Sequence, residues 1–405
     1  MILILGMLSA IGPFSIDMYL PGFPAIAEDL NTTVGRVSLS LSSFFIGISA
    51  GQLLYGPLLD RFGRKKPLYI GLSIYLVASI GCAFCTSVEA LIGLRLLQAV
   101  GGCSGMVAAR AMVRDLFPVE ENAKIFSLLM LVIGISPIIA PAVGGYVTAA
   151  FGWHSVFIIL AILSAFTLTA LHFALPESRK PDKSVSLLPV PIIKSYLNVF
   201  KDPQFYTYAL TGSIAAAGLY AYIAGSPHVF MELYKVTEQQ YGWIFASVAL
   251  GLIICSQLNS FLLRKYTSEQ IIPVALFFQG LAGLILFFGT MFHLLGLLST
   301  IFFILIFLSC QGFTFPNSSA LSMAPFTKNA GTASALMGSI QLAVGTITSI
   351  LVSLLTNNTA LPMTGVMAGC AILSFSVLMI GRKKIRFETT QIKVQEEAAE
   401  MMTTS

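Results

Sequence analysis

The chain has 405 residues, 56% of them hydrophobic and only 10% charged, with a mean hydropathy of +0.85. A soluble domain carries roughly 25% charged residues, so this composition excludes an ordinary water-soluble enzyme and leaves lipid as the main solvent. The formal net charge is +5, but where the charges sit says more than their sum, and nothing else supports a nucleic-acid partner.

A spanning helix needs about 20 mostly apolar residues at about 1.5 Å rise each. Twelve such stretches are predicted, over 2–24, 36–58, 67–86, 88–110, 125–149, 154–174, 204–226, 240–262, 270–291, 295–318, 330–355 and 360–381. They use most of the chain and leave no room for a sizeable soluble domain. Nor do they alternate apolar and polar residues, as the strands of a membrane β-barrel would. The expected fold class is an all-α membrane protein with twelve transmembrane helices.

The first stretch precedes any basic residue, the first being Arg36, and is long enough to span. It therefore reads as a retained helix rather than a signal peptide. Its run Pro13-Phe14-Ser15-Ile16-Asp17-Met18-Tyr19-Leu20-Pro21-Gly22-Phe23-Pro24 contains Asp17, the only carboxylate of the stretch. A charge near mid-bilayer costs about 2.5 to 3.5 kcal/mol on insertion scales, so Asp17 is a candidate for proton or substrate handling.

Between the second and third stretches runs Gly56-Pro57-Leu58-Leu59-Asp60-Arg61-Phe62-Gly63-Arg64-Lys65-Lys66. Gly63 permits a tight turn, and Asp60 can bond backbone amides or a neighbouring Arg. The run resembles the G-x-L-x-D-x-x-G-R-[KR] signature of the major facilitator superfamily at every defining position. That resemblance implies the major facilitator fold, with two six-helix halves around a central cavity. It also implies a cytoplasmic gate in which Gly56, Asp60, Arg61, Gly63 and Arg64 latch the halves together. Lys65 and Lys66 read equally well as plain membrane-side anchors.

In the fourth stretch, Arg95-Leu96-Leu97-Gln98-Ala99-Val100-Gly101-Gly102 is similar to the superfamily's R-x-x-x-G-x-G signature, with Ala99 where Gly is usual. Arg95 and Gln98 share a helix face. Stretches one and four run in opposite directions, which puts Asp17 and Arg95 at similar depth, and a buried charge needs a partner. The two are expected to pair and to carry proton coupling; a purely structural ion pair is the alternative. The fifth stretch holds Ser136-Pro137-Ile138-Ile139-Ala140-Pro141-Ala142-Val143-Gly144-Gly145, resembling the G-x-x-x-G-P-x-x-G-G pattern of antiporters in this superfamily, from which Ser136 and Ala140 depart. Pro137 and Pro141 bend the helix, while Gly144 and Gly145 let a neighbouring backbone approach. Generic helix packing would use the same residues.

The longest polar interruption, 176–203, divides the chain into an N-terminal half 1–175 and a C-terminal half 204–381, followed by a polar tail 382–405 expected to be disordered. Landmarks recur across it: Pro21 and Pro227 are 206 residues apart, Arg61 and Arg264 are 203 apart, and Ala142-Val143-Gly144 returns as Ala343-Val344-Gly345 at 201. Such parallel repeats are a known layout for secondary transporters. Asn259 through Lys265 is a worn copy of the Gly56 signature that keeps the basic pair but lacks its Asp.

The Asp-Met-Tyr-Leu-Pro-x-x-Pro run around Asp17 has two companions, Gly152-Trp153-His154-Ser155-Val156-Phe157 and Leu175-Pro176-Glu177-Ser178. Together they resemble the bicyclomycin-resistance (Bcr/CflA) subfamily of drug:proton antiporters, over essentially the whole chain. This implies export of small amphipathic compounds in exchange for protons, through a monomer bathed in membrane lipid. A proton symporter taking up a nutrient is the alternative. Tyr19, Gln52, Gln98, Tyr220, Tyr222, Gln311 and Asn317 are candidates to line the substrate cavity, or else serve as interhelical glue. The six cysteines all fall in apolar stretches and behave as small hydrophobes. The four histidines lack metal spacing, so no metal is expected. No phosphate-cradling G-x-x-x-x-G-K-[ST] loop is found, and no enzyme activity or cofactor is expected.

With a cytoplasmic N-terminus, the inner loops and tail hold 20 of the 23 Lys and Arg, and the outer loops hold only Arg36 and Lys235. This bias predicts both termini inside, and the resemblance to the bicyclomycin-resistance subfamily implies the inner (plasma) membrane of a bacterium. Single cysteines introduced in 176–203 or in the tail should react with a membrane-impermeant thiol reagent only after cells are opened. Labelling from outside intact cells would overturn the orientation.

Overall fold

The computed structural model describes residues 1–182, 196–326 and 330–403. Among them the chain is helical, apart from turns and one isolated bridge between Asn357 and Thr359. Lipid cannot hydrogen-bond a free backbone amide or carbonyl, so helices that close their own bonds are what an apolar chain of this kind forms. Among the described residues, twelve helices are long and apolar enough to cross a membrane: Ile2–Asp29, Val34–Phe62, Lys65–Ala83, Val88–Val113, Leu128–Phe151, His154–Ala174, Pro203–Leu233, Glu238–Leu262, Ser268–Met291, Leu297–Met323, Thr332–Leu355 and Leu361–Ile385. They are called spans 1 to 12, and each overlaps its predicted counterpart with ends shifted by a few residues.

Local chemistry sets many of the boundaries. The hydroxyls of Thr33 and Ser87 accept hydrogen bonds from the Arg36 and Ala90 amides, and the Asp202 carboxylate accepts one from the Phe205 amide. Thr237 with Gln240, and Thr267 with Gln270, form reciprocal capping boxes. Span 2 stops at Gly63, whose φ of +82° suits glycine, and the expected turn forms there.

Three features depart from uninterrupted spans. Span 1 is a helix Ile2–Asp17, a short 3-10 turn Leu20–Gly22 and a second helix Phe23–Asp29. Span 7 continues past Pro227 through a π turn, His228–Leu233. Span 10 is two helices meeting at Cys310. The tail expected to be disordered instead continues span 12 as helix to Thr403. The physical reason is its content of Lys, Arg, Glu, Gln, Ala and Met with no Gly or Pro after Gly381.

Spans 2, 3 and 4 pack most tightly where side chains are smallest. A β-carbon at Gly101 would lie 2.6 Å from both the Gly71 carbonyl oxygen and the Tyr75 nitrogen. Ala99, the departure from the expected glycine, places its methyl against Gly47 of span 2. The missing glycine has in effect moved to the neighbouring helix.

Spans 1–6 meet spans 7–12 at the end of the bundle away from Gly63, called here the far end; the end bearing Gly63, Glu177 and the Arg264-Lys265 turn is the basic end. Ser42 bonds Ser349 at 2.7 Å, Ser353 donates to Ser38 at 2.9 Å, and Ser38 donates to the Ala224 carbonyl at 2.9 Å. Trp243 reaches Tyr146 at 3.4 Å. These bonds join spans 2, 5, 7, 8 and 11 and close the far end.

Gly101→Val should lower thermal stability in detergent by about 1 to 3 kcal/mol, because a branched side chain is forced into backbone contact. Gly93, on the same span with nothing near its would-be β-carbon, is the control. Gly93→Ala should be neutral or stabilising by up to about 1 kcal/mol. Equal melting temperatures for Gly101→Val and wild type would show that the contact can relax.

Candidate transport site

The break in span 1 follows from its prolines. The amide that Pro21 lacks is the one that would bond the Asp17 carbonyl four residues back, so the helix ends at Asp17. Asp17 is 4% exposed, and among the described residues its carboxyl has no hydrogen-bond or ion-pair partner. It faces the last six spans, near enough to Tyr222 and Tyr241 for its charge to act on both. Tyr241 shares a 2.8 Å hydrogen bond with Ser226, whereas the buried Tyr222 hydroxyl has no partner among the described residues. A carboxyl at the C-terminal end of a short helix also gains nothing from the helix dipole.

Arg95 lies elsewhere. It is fully buried, donates to Gln98 Oε1 at 2.5 Å and to the Ser15 carbonyl at 2.8 Å, and sits 4.2 Å and 4.1 Å over the rings of Tyr19 and Phe44. Gln98 in turn donates to Ser79 at 2.7 Å, and Ser15 bonds the Tyr75 hydroxyl at 2.6 Å. The expected Asp17–Arg95 pair is therefore absent among the described residues. Ser15, which Arg95 grips, and Asp17 are two apart in a helix and point to different faces. Arg95 turns inward among spans 1 to 4 and 6, while Asp17 turns outward toward spans 7 and 8. The shared face of Arg95 and Gln98 is confirmed by their direct bond.

Span 5 completes the surroundings. A methyl at Gly144 would overlap the Met18 carbonyl oxygen, and one at Gly145 would lie 2.5 Å from the Glu238 carbonyl oxygen. Gly242 of span 8 meets the Pro141 carbonyl in the same way, at 2.7 Å. The Pro141–Gly145 segment is thus wedged between the break in span 1 and the start of span 8. Pro137 lies a turn further toward the basic end.

The polar cavity candidates divide. Tyr19 is buried against Arg95, Phe23 and Phe157. Gln98 is spent on Arg95 and Ser79. Gln311 donates to the Ala215 carbonyl at 3.0 Å, and Asn317 donates to Asn259 at 2.7 Å and accepts from Ser268. Rather than lining an open space, these side chains hold helices together, since polar groups in lipid seek one another. Tyr220 and Gln52 remain partly exposed where the two sets of spans face each other. Tyr220 meets Phe45 edge-on at 4.8 Å, and Gln52 comes close to Gly338. Tyr222 stacks on Phe245 beside Asp17.

At the basic end, Arg64 is nearly buried and bridges Asp60 at 2.8 Å and Asp115 at 2.7 Å. Arg179 also binds Asp60, at 3.2 Å. Glu177 accepts from the Arg64 and Lys65 amides at 2.7 and 3.1 Å, and Ser178 donates to Asp115 at 3.1 Å. The expected latch between halves takes a different form here: these partners of Asp60 and Arg64 belong to spans 2 to 4 and to the chain just after span 6. Asp115, Glu177 and Arg179 escaped the sequence reading as members of this cluster, although Leu175-Pro176-Glu177-Ser178 had marked the place. Arg61 lies in the last turn of span 2, and Gly56 has open space beside it.

A family model described as Major Facilitator Superfamily matches residues 5–349. An uncharacterized MFS-type transporter of Bacillus subtilis, YdgK, is 33% identical over 390 residues, covering 95% of each chain. A bicyclomycin resistance protein homolog of Haemophilus influenzae is 31% identical over 373 residues, covering 92% of this chain and 94% of that one. Among solved structures, that of a peptide transporter, POT, superposes with a TM-score of 0.75 at 15% identity over 94% of both chains.

The Arg95 cage gives a direct test. Arg95→Lys keeps the charge but loses the planar fork and most of the stacking on Tyr19 and Phe44. It should cost about 2 kcal/mol or more of stability, read as a lower unfolding temperature in detergent. An unchanged temperature would show that a point charge is all the site requires.

Proposed function

The chain belongs to the major facilitator superfamily, and from that premise we propose that it is a proton-coupled antiporter. In this reading it exports small amphipathic organic compounds across a bacterial inner membrane by alternating access. It is an integral, multi-pass membrane transporter and not an enzyme. The proposed moving units are 1–175 and 204–381, joined by the cytoplasmic linker 176–203, with both termini and the tail 382–405 in the cytoplasm and the protein acting as a monomer.

The observation that carries the proposal is the Asp17 carboxyl, buried at the break in span 1, turned toward the other set of spans and free of a protein cation among the described residues. A charge with no partner in a dry site is costly. The closed far end therefore suits Asp17 when it carries a proton or lies beside a cationic group of the transported compound. When the units rock and the site opens to the outside, a proton enters and the compound leaves. The return movement delivers that proton to the cytoplasm and leaves Asp17 ready for the next compound. The electrical part of the gradient supplies about 2.3 kcal/mol per charge per 100 mV.

Arg95 acts in this scheme through structure. It fixes the Ser15 carbonyl and the Tyr19 ring on either side of Asp17, and so sets the break in which the carboxyl sits. Pro137, Pro141, Gly144 and Gly145 support antiport by sealing span 5 against both spans 1 and 8, which limits leak through the closed far end. The Asp60–Arg64–Asp115 cluster is the proposed cytoplasmic gate. It is held within the first unit while the basic end is open, and it meets the second unit when that end closes. Gln52, Tyr220 and Tyr222 are the side chains we place nearest the compound.

Purified protein in vesicles with an imposed pH gradient tests this reading against a panel of amphipathic antibiotics, bicyclomycin among them. Wild type should move at least one compound against its gradient with counterflow of protons. Asp17→Asn should abolish the pH-driven component while retaining exchange of compound for compound. Full pH-driven export by Asp17→Asn would remove Asp17 from the coupling role, and uptake with protons would turn the assignment to symport.

A further inference from the structure

The turn between spans 8 and 9 repeats the basic pair of the Gly56–Lys66 signature without its acid. In the first copy Asp60 and Asp115 neutralise Arg64, whereas at the offset of 203 residues that relates Arg61 to Arg264, Leu263 stands where Asp60 would. In the second, Arg264 and Lys265 are exposed, and neither has a carboxylate partner among the described residues. Glu269, the nearest acid in sequence, forms no ion pair with either. Their cationic groups rest over aromatic rings instead, Arg264 at 5.2 Å from Phe261 and Lys265 at 5.5 Å from Tyr266.

Directly beside this turn lies a groove of about 770 Å³ between spans 8, 9 and 10, walled by Cys255, Phe278, Leu305 and Phe313. Its rim residues Val274 and Phe278 are 57% and 51% exposed, so it opens sideways from the bundle toward lipid. Leu262 and Tyr266 also line it, and they bracket the Arg264-Lys265 pair in sequence. The turn that carries these two cations thus adjoins an apolar groove, with Lys265 over the Tyr266 ring that lines it, at the membrane depth where a tyrosine ring favours the headgroup boundary.

We propose that this groove is a binding site for an anionic phospholipid, with the phosphate on Arg264 and Lys265 and an acyl chain between spans 8, 9 and 10. The lipid phosphate takes the place of the carboxylate that the second copy of the signature lacks. Apolar walls alone would accept any acyl chain, and the charge at the mouth selects the headgroup. The site is distinct from Asp17 and does not depend on which compound is transported.

Native mass spectrometry of the full-length chain in detergent, titrated with dioleoylphosphatidylglycerol or dioleoylphosphatidylcholine, provides the test. Each cation near a lipid surface contributes about 1 kcal/mol, about a fivefold change in affinity. Wild type should therefore hold phosphatidylglycerol at least about tenfold more tightly than phosphatidylcholine. The double substitution Arg264→Ala with Lys265→Ala should erase that preference, and both residues are exposed enough to be changed without disturbing packing. Val274→Trp, at the exposed rim, should weaken both lipids by obstructing the groove. Equal binding of the two lipids by wild type, or an unchanged preference in the double variant, would overturn the proposal. So would binding of glycerophosphoglycerol, the headgroup without chains, as tightly as the whole lipid, since the groove would then play no part.

Discussion

Pro21 cannot donate the backbone hydrogen bond that would close a helical turn on the Asp17 carbonyl, and in lipid a helix that loses such a bond needs help from its neighbours. Much of the surrounding architecture is that help. Arg95 takes the Ser15 carbonyl, Tyr19 turns its ring onto the Arg95 guanidinium, and Gly144 brings span 5 up against the Met18 carbonyl. The same break leaves Asp17 at the surface between the first six spans and the last six. A straight helix would carry its carboxyl on a fixed face; an interrupted one presents it where spans 1 to 6 meet spans 7 and 8.

The two ends of the bundle solve different problems. At the far end, serine hydroxyls and close glycine contacts hold spans 2 and 5 against spans 11 and 8 with short neutral hydrogen bonds. Such contacts are individually modest, about 0.5 to 1.5 kcal/mol each in net terms. At the basic end the interactions are ionic and mutually neutralising, centred on the nearly buried Arg64. That network stiffens the end of the first six spans. Its worn copy near Arg264 and Lys265 has lost the acid and with it the internal neutralisation, which leaves charge available to the membrane.

The sequence reading was strongest where lipid is the judge. Apolar length and the absence of alternation are decided residue by residue, so all twelve spans were legible, as were the turn at Gly63 and the close backbone approach at Gly144 and Gly145. The Arg95–Gln98 bond was legible too, because helix periodicity alone places the two on one face. The helical tail was misread because its polarity was weighed above its helix propensity, and the cluster partners Asp115, Glu177 and Arg179 were missed because they come together only when spans 2, 4 and 6 converge.

What the sequence determined by itself was composition-driven: an all-helical membrane protein, its spans, its turns and the identity of its few intramembrane charges. Which charge faces which neighbour was left to the tertiary structure. Equal depth in the membrane made Asp17 and Arg95 look like partners, but depth is one coordinate of three. Rotation about the axis of span 1 sends Ser15 toward Arg95 and Asp17 toward Tyr222 and Tyr241. Likewise, polar residues such as Gln98, Gln311 and Asn317 are indistinguishable in sequence from cavity-lining ones, because only the packing of adjacent helices decides whether a hydrogen-bonding group meets another helix or open space.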